Sequence, residues 1–324
     1  MLNRMLESEG AQHEGSWHGR SDGAKRVSYV LTTLNKLSFL KETLKRYAEA
    51  LGDEEELLIV DGGSRDGSAE HIHEWFEQGK VSAYVSEPDL CEAHALNKAL
   101  LMAQGRYITI LTDDDVFDFG VLRQLHRYLD ENPDISVAFP SGADTQWDEE
   151  PFVRPTIDIL LVPGLIENRD AMFPYSGLGL TIRRADLSKL GLFDLNFKRV
   201  DVAYFCRLTT LPIKLVGSAL FGFVRILNSK SATVTMGDRN YEELKRLTEF
   251  YGGGGYMSGR QLIAELLKRV RGRFAGSSQS VDDGSAVTLA ASATDLSPAE
   301  QVRIAEDWLK TANADRPSIF VRRG

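Results

Sequence analysis

Three consecutive carboxylates, Asp113, Asp114 and Asp115, follow the apolar run Tyr107-Ile108-Thr109-Ile110-Leu111 and Thr112. Acidic neighbours at the end of a buried strand repel one another and resist desolvation. A site that keeps them has a use for the charge, most simply a divalent cation held by oxygen ligands. Acidic triplets are also common in solvated loops, and the triplet alone leaves both readings open. What favours chemistry is position, because in open α/β sheets the ligand crevice lies outside the carboxyl ends of the strands.

The elements before the triplet are the ones that must hold it. Arg26 to Leu34 reads as a β-branched and aromatic strand, followed by the polar break Thr33-Leu34-Asn35-Lys36 and a helix with Phe39, Leu40, Leu44, Tyr47 and Leu51 on one face. Leu57-Leu58-Ile59-Val60 is a second strand running into Asp61-Gly62-Gly63-Ser64-Arg65-Asp66-Gly67-Ser68, whose glycines permit a tight turn near a ligand. Ser68 is placed to cap the next helix, which carries Ile72, Trp75 and Phe76. Val81 to Val85 is a third strand, leading through Ser86-Glu87-Pro88-Asp89 to a helix with Ala93, Leu96, Asn97, Ala99, Leu100 and Ala103. Strands and helices alternate at βαβ spacing, which predicts an α/β fold with a mostly parallel central sheet flanked by helices.

In this order the segments resemble the family 2 glycosyltransferases of the GT-A fold. The resemblance rests on Val27 to Asn35, Ile59 to Gly67, Ser86 to Asp89 with Asn97-Lys98, Gly105-Arg106-Tyr107, and Asp113 to Asp115. It extends through Arg183-Arg184 and Leu190 to Asp194 into Val200-Asp201 and Arg207-Leu208, similar to the family's acceptor-side segment. The resemblance implies a nucleotide-diphospho-sugar donor, a glycan or lipid-linked acceptor, Mn²⁺ or Mg²⁺, and inversion at the anomeric carbon. By the family's motif Asp114 is the metal-binding carboxylate, with Asp113 beside it toward the nucleotide and Asp115 a weaker candidate. Asp201 matches the base that takes the acceptor's proton; a salt-bridged carboxylate near Arg199 or Arg207 is the other reading of that residue. Thr32, Asp61, Asp89, Asn97 and Lys98 are the remaining nucleotide-sugar candidates, with Lys98 read equally well as a surface lysine. Leu34 stands where relatives carry an aromatic against the nucleobase, and Gly62 replaces a second acid that reads it, so weak base discrimination is expected. Cys91 replaces a usual glycine, and Val200 precedes Asp201 where an acidic or small residue is frequent.

Three other classes compete. A haloacid-dehalogenase-like phosphotransferase needs a hydroxyl residue where Phe117 stands. A sugar nucleotidyltransferase would open with a glycine-rich Arg- and Lys-bearing loop after the first strand, where this chain has Thr33 to Lys36. A non-catalytic nucleotide-sugar-binding or scaffold protein of the same fold would have no need of Asp114 and Asp201.

At 324 residues and 43% hydrophobic content, the chain can hold one large domain with an appendage. A net charge of −9 argues against a nucleic-acid binder. Cys91 and Cys206, the two cysteines, form no metal-spaced set and no disulfide framework, which fits a reducing cytoplasm. No apolar run approaches the roughly 18 residues of a membrane span, and no signal-peptide core opens the chain. The expected organisation is a disordered arm over 1–24, the catalytic domain over 25–235, a helical extension over 236–275, a linker over 276–294, and a short helix and tail over 295–324. Within the extension, Gly252 to Gly255 reads as a hinge, and Arg260 to Phe274 is a basic amphipathic helix. Residues 259–274 offer a peripheral contact with an anionic membrane or pack on the domain.

Overall fold

The computed structural model describes residues 16–19, 25–147, 151–159, 175–228, 239–251 and 296–323. The chain opens with β1 (Ser16–Gly19) and then alternates β2 (Val27–Thr33), α1 (Leu37–Ala50), β3 (Glu55–Asp61), α2 (Ser68–Glu77), β4 (Ala83–Ser86), α3 (Glu92–Met102) and β5 (Tyr107–Thr112). Strands β4, β3, β2 and β5 lie side by side in that order, all parallel. Val27, Tyr29, Val30 and Leu31 of β2 are fully buried, as the central strand of a sheet covered on both faces must be. The chain lays β3 and β4 on one side of β2 and β5 on the other. The strand order therefore reverses between β2 and β5, and a crevice opens there beyond the strand ends.

Beyond β5 the sheet becomes mixed. After β6 (Val116–Phe117) and α4 (Phe119–Glu131) come the long β7 (Ile135–Trp147), β8 (Pro151–Ile157) and β9 (Thr181–Arg183). Strand β9 runs antiparallel between β5 and β7, which joins the two halves of the sheet. The short α5 (Leu187–Leu190) and α6 (Val200–Thr210) lead to β10 (Lys214–Arg225), which is parallel to β7. Helix α7 (Arg239–Phe250) packs Leu247 against Val202, Ala203 and Cys206 of α6 and so backs the helix that bears Asp201.

The ends depart from the expected organisation. Ser16–Gly19, inside the segment expected to be a disordered arm, pairs antiparallel with β4 as an edge strand. The C-terminal tail is part of the sheet, since β11 (Phe320–Arg323) pairs antiparallel with β10. Before it, α8 (Pro298–Ala312) starts with a full capping box between Ser297 and Glu300. Its Val302, Ala305 and Leu309 join Phe39 of α1 and Val224 of β10 in a second core. Gly252 to Gly255, the helix expected over 260–274 and the linker over 276–294 lie outside the described residues.

One buried histidine in this framework makes stability depend on pH. His126 of α4 pairs Nε2 with Thr109 Oγ1 at 2.8 Å and stacks on Tyr107 with ring centroids 5.7 Å apart. Burial, the dominant cause, pushes its pKa down to about 3 from an ordinary 6.5. Between those values the unfolded chain binds a proton that the folded chain refuses, so stability rises with pH through the window and is lost as pH falls. At pH 5 this amounts to about 2 kcal/mol. Urea unfolding at pH 5 and pH 7.5 is expected to show His126→Gln losing about 2 kcal/mol less than the wild type on acidification. Equal losses in the two proteins would rule out His126 as the source.

Candidate active site

The turn after β2 is fixed before the carboxylates arrive. Asn35 adopts a left-handed conformation with φ of 53°. Its backbone N–H donates to Ser64 Oγ at 2.8 Å, and its Oδ1 accepts from the Arg65 N–H at 2.8 Å. The Leu37 N–H donates to Asp66 Oδ2 at 2.9 Å. The β2–α1 and β3–α2 turns are thus tied together, which directs Lys36, at the start of α1, toward the end of β5. The carboxylate loop is anchored from the same helix. Tyr47 OH donates to the carbonyls of Asp115 at 2.6 Å and Thr112 at 3.0 Å, and Thr43 Oγ1 donates to that of Asp113 at 2.8 Å.

The three acids have separate environments. Asp113 accepts from Thr33 Oγ1 at 2.7 Å and from Lys36 Nζ at 3.2 Å. Asp114 Oδ2 accepts from Lys36 Nζ at 2.6 Å and from Asn228 Nδ2 at 2.9 Å. Asp115 accepts from Thr112 Oγ1 at 2.5 Å and from the Ile226 N–H at 2.7 Å, which ties the loop to the chain leaving β10. Burial raises Asp113 above the usual carboxylate range, with Lys36 opposing, and raises Asp115 well above it, with Asp114 adding to the effect. Burial alone would lower Lys36, but Asp113 and then Asp114 outweigh it and hold the ammonium above its ordinary value.

These residues line a crevice of about 520 Å³ together with Thr32, Gly62, Asp89, Glu92, Arg225 and Asp201. Asp201 sits in the first turn of α6, where its Oδ2 accepts from the Gly177 N–H at 3.2 Å. A Cβ on Gly177 would lie 2.9 Å from the Asp201 Cβ, so only glycine lets the two segments approach this closely. Glu92 begins α3 and reaches solvent through the open mouth of the crevice. The surrounding protein and then Asp201 push its carboxyl up while Lys36 opposes, and because the side chain is exposed, solvent screens this shift.

Of the residues singled out in the sequence, Thr32, Asp89, Asp113, Asp114 and Asp201 meet in this crevice. Three others face elsewhere. Asp61 is fully buried and accepts from Ser86 Oγ at 2.7 Å and from the Ser64 N–H at 3.1 Å, so it shapes the turn beside the crevice. Asn97 is buried against the backbone of Phe193, donating to its carbonyl at 2.9 Å and accepting from its N–H at 2.7 Å; it joins α3 to the segment before α6. Lys98 pairs with Asp89 at 2.5 Å and Glu87 at 2.8 Å, outside the crevice lining, and so bears on the site only through Asp89. Tyr175 is a core residue, fully buried against Phe139 and Phe205. The residues not foreseen are Lys36, Glu92, Arg225 and Asn228. Lys36 had a signal, a basic side chain in the break after the first strand; Asn228 lies 114 residues from its partner and had none.

Residues 28–184 match the model of glycosyl transferase family 2. A poly-β-1,6-N-acetyl-D-glucosamine synthase of Staphylococcus epidermidis is 23% identical over 208 residues, covering 62% of this chain and 48% of that protein. An uncharacterized glycosyltransferase of Methanocaldococcus jannaschii is 28% identical over 116 residues, covering 35% of this chain and 40% of that one. The matched region thus spans less than half the length of these relatives. Among solved structures, S. aureus TarS 1–349 in complex with UDP-GlcNAc superposes with a TM-score of 0.51 at 15% identity, covering 76% of this chain and 73% of that one. The TarS likeness carries the fold, and the family match, over β2 to β9, includes the strand that presents Asp113 and Asp114 and ends before Asp201 on α6. Residues 28–184, just under half of the chain, thus carry a match to a family 2 glycosyltransferase domain, on an α/β fold like that of GT-A glycosyltransferase structures.

Proposed function

We propose that this glycosyltransferase moves a sugar from a nucleotide-diphospho-sugar to a hydroxyl acceptor with inversion, in the synthesis of cell-surface polysaccharide or a lipid-linked glycan. One observation carries the reading: Asp113 and Asp114, at the switch point between β2 and β5, line the same crevice as Asp201 on α6. Inversion needs the leaving diphosphate and the attacking hydroxyl on opposite faces of the sugar, with a carboxylate beside the hydroxyl to accept its proton. In this reading Asp201 takes that proton, while Thr32, Gly62 and Asp89 border the nucleoside and Lys36 faces the diphosphate. The name of the Staphylococcus epidermidis relative, a polysaccharide synthase, supports a glycan acceptor. A cytoplasmic location and a peripheral membrane contact through 259–274 belong to the same proposal; among the described residues no helix is long and apolar enough to cross a membrane.

The residues present fit a divalent cation in the way that substrate-assisted sites do. Among the described residues no three His, Cys, Asp or Glu side chains are set to enclose a metal ion. Mg²⁺ commonly takes one or two carboxylates together with phosphate oxygens and water. Among the described residues, both hydrogen bonds of the Asp114 carboxylate end on Oδ2, so Oδ1 is the oxygen that would hold Mn²⁺ or Mg²⁺. When bound, such an ion supplies neutralisation of the charge on the departing diphosphate.

Donor choice is testable at the nucleoside end. Leu34 is 53% exposed at the crevice and offers no aromatic face, and the Cβ position of Gly62 lies 3.0 Å from Asp89 Oδ2. Lys98 pairs with Asp89 Oδ1, which leaves Oδ2, beside Gly62, as an acceptor open alike to the N3–H of uracil and the N1–H of guanine. A panel of nucleotide sugars assayed for metal-dependent thermal stabilisation and slow hydrolysis should identify donors. Uridine and guanosine diphosphates are expected to differ in affinity by less than about 10-fold, or about 1.4 kcal/mol. Failure of every nucleotide sugar to stabilise or turn over would overturn the donor reading, and a hundredfold preference would assign base recognition to a group other than Asp89.

A further inference from the structure

Lys36 is placed for more than a surface charge. Its Nζ bridges Asp114 Oδ2 at 2.6 Å and Asp113 Oδ1 at 3.2 Å, and its side chain is largely enclosed. A lysine ammonium is a compact cation with three donors on a flexible stem, so it can sit where an ion would sit and can also swing away. Its backbone has no such freedom, because the left-handed Asn35 and the bonds from Ser64, Arg65 and Asp66 fix the turn that precedes it. Asn228 Nδ2 caps the same Asp114 oxygen at 2.9 Å, so two donors already occupy one side of that carboxylate.

We propose that Lys36 is a positioning residue whose ammonium, held between Asp113 and Asp114 in the donor-free enzyme, keeps a divalent ion off Asp114 Oδ1, so that the ion enters with the nucleoside diphosphate and not ahead of it. The inference rests on the donor-and-cation reading given above. Without donor, an entering ion finds Asp114 Oδ1 as its carboxylate oxygen and meets the repulsion of an adjacent ammonium; one protein oxygen with water is a weak site. With donor, phosphate oxygens complete the ion's shell, and their negative charge also draws Lys36 off the carboxylates toward the diphosphate. Lys36 thereby couples occupancy of the two ligands and guards the acidic cluster against ions that arrive without substrate.

The experiment measures Mn²⁺ binding by the loss of its free-ion paramagnetic resonance signal, for the full chain with and without UDP or GDP. The wild type is expected to bind Mn²⁺ at least 10-fold more tightly with nucleotide than without. Lys36→Met, which removes the charge and keeps the stem, should bind Mn²⁺ alone at least 10-fold more tightly than the wild type, whereas Lys36→Arg should not. Lys36→Gln carries the same expectation as Lys36→Met and serves if the more apolar variant misfolds. If the uncharged variants gain no Mn²⁺ affinity while nucleotide still strengthens binding in every protein, the role of Lys36 is overturned and the donor reading stands. If the wild type binds Mn²⁺ equally well with and without nucleotide, the coupling is overturned. If no protein binds Mn²⁺ under any of these conditions, the cation reading and the inference fall together.

Discussion

Asp201→Asn is expected to lower sugar transfer by roughly 10²- to 10⁴-fold while nucleotide affinity stays nearly unchanged. The substitution is close to isosteric; the amide oxygen can keep the 2.8 Å bond from the Val202 N–H that Oδ1 now accepts, and the longer 3.2 Å bond from the Gly177 N–H to Oδ2 is the one given up. What disappears is the group that takes a proton from the acceptor as it attacks. A carboxylate is a weak base, so placement beside the hydroxyl contributes more than basicity. The rival base in the crevice is Glu92, which is exposed at its mouth and whose carboxyl the surrounding protein and then Asp201 push up. Residual transfer by Asp201→Asn that climbs with pH and vanishes in an Asp201→Asn, Glu92→Gln double variant would move the role to Glu92. A variant that transfers normally, or one that loses nucleotide binding instead, would show that Asp201 does something else.

How far the sequence led depended on whether the signal was local. The β2 to β5 unit was legible because each strand is a short apolar run and each helix has one apolar face, a pattern that arises within about ten residues. The carboxylates were legible for the same reason, since the strand that presents them and the turn that exposes them are contiguous. Periodicity said nothing of β11: Phe320–Arg323 is four residues long, with two arginines, and its place is set by pairing with β10, about a hundred residues earlier. Ser16–Gly19 is likewise a strand only because β4 offers an edge.

Within the site, the side chains that turn away from the crevice and those that enter it unannounced share one cause. A helix lists its faces, and the partner of each face comes from elsewhere in the chain. Asn97 lies on α3 at a position compatible with the crevice, but the register turns it to the backbone of Phe193, 96 residues away. Lys36 was passed over because its value comes from two acids 77 and 78 residues later, which no local window contains. The capping box at Ser297 and Glu300 is the opposite case; its chemistry is complete within four residues and sets the start of α8 at Pro298.

Asp114→Asn should reduce transfer by at least ~10²-fold and leave the fold intact. The oxygen facing Lys36 Nζ and Asn228 Nδ2 must remain an acceptor, because an amide NH₂ turned toward two donors would be repelled. The asparagine therefore keeps its oxygen on that side and presents NH₂ to the crevice, where Oδ1 of the aspartate had been. An amide nitrogen with two protons has no lone pair to offer a cation and meets the diphosphate as a neutral donor. Stability should not suffer, since Asp113 keeps its own contacts with Thr33 and Lys36, and Asp114 is one of the charges that raise both Asp113 and Asp115. Removing it relieves like-charge repulsion at a buried loop, so the melting temperature should hold or rise slightly. The readings to compare are transfer rate, Mn²⁺ affinity in the presence of nucleotide, and melting temperature. An Asp114→Asn enzyme that transfers at the wild-type rate, or a wild-type enzyme fully active in a chelator, would remove Asp114 from the chemistry and leave it, with Lys36 and Asn228, as a structural ion pair at the end of β5.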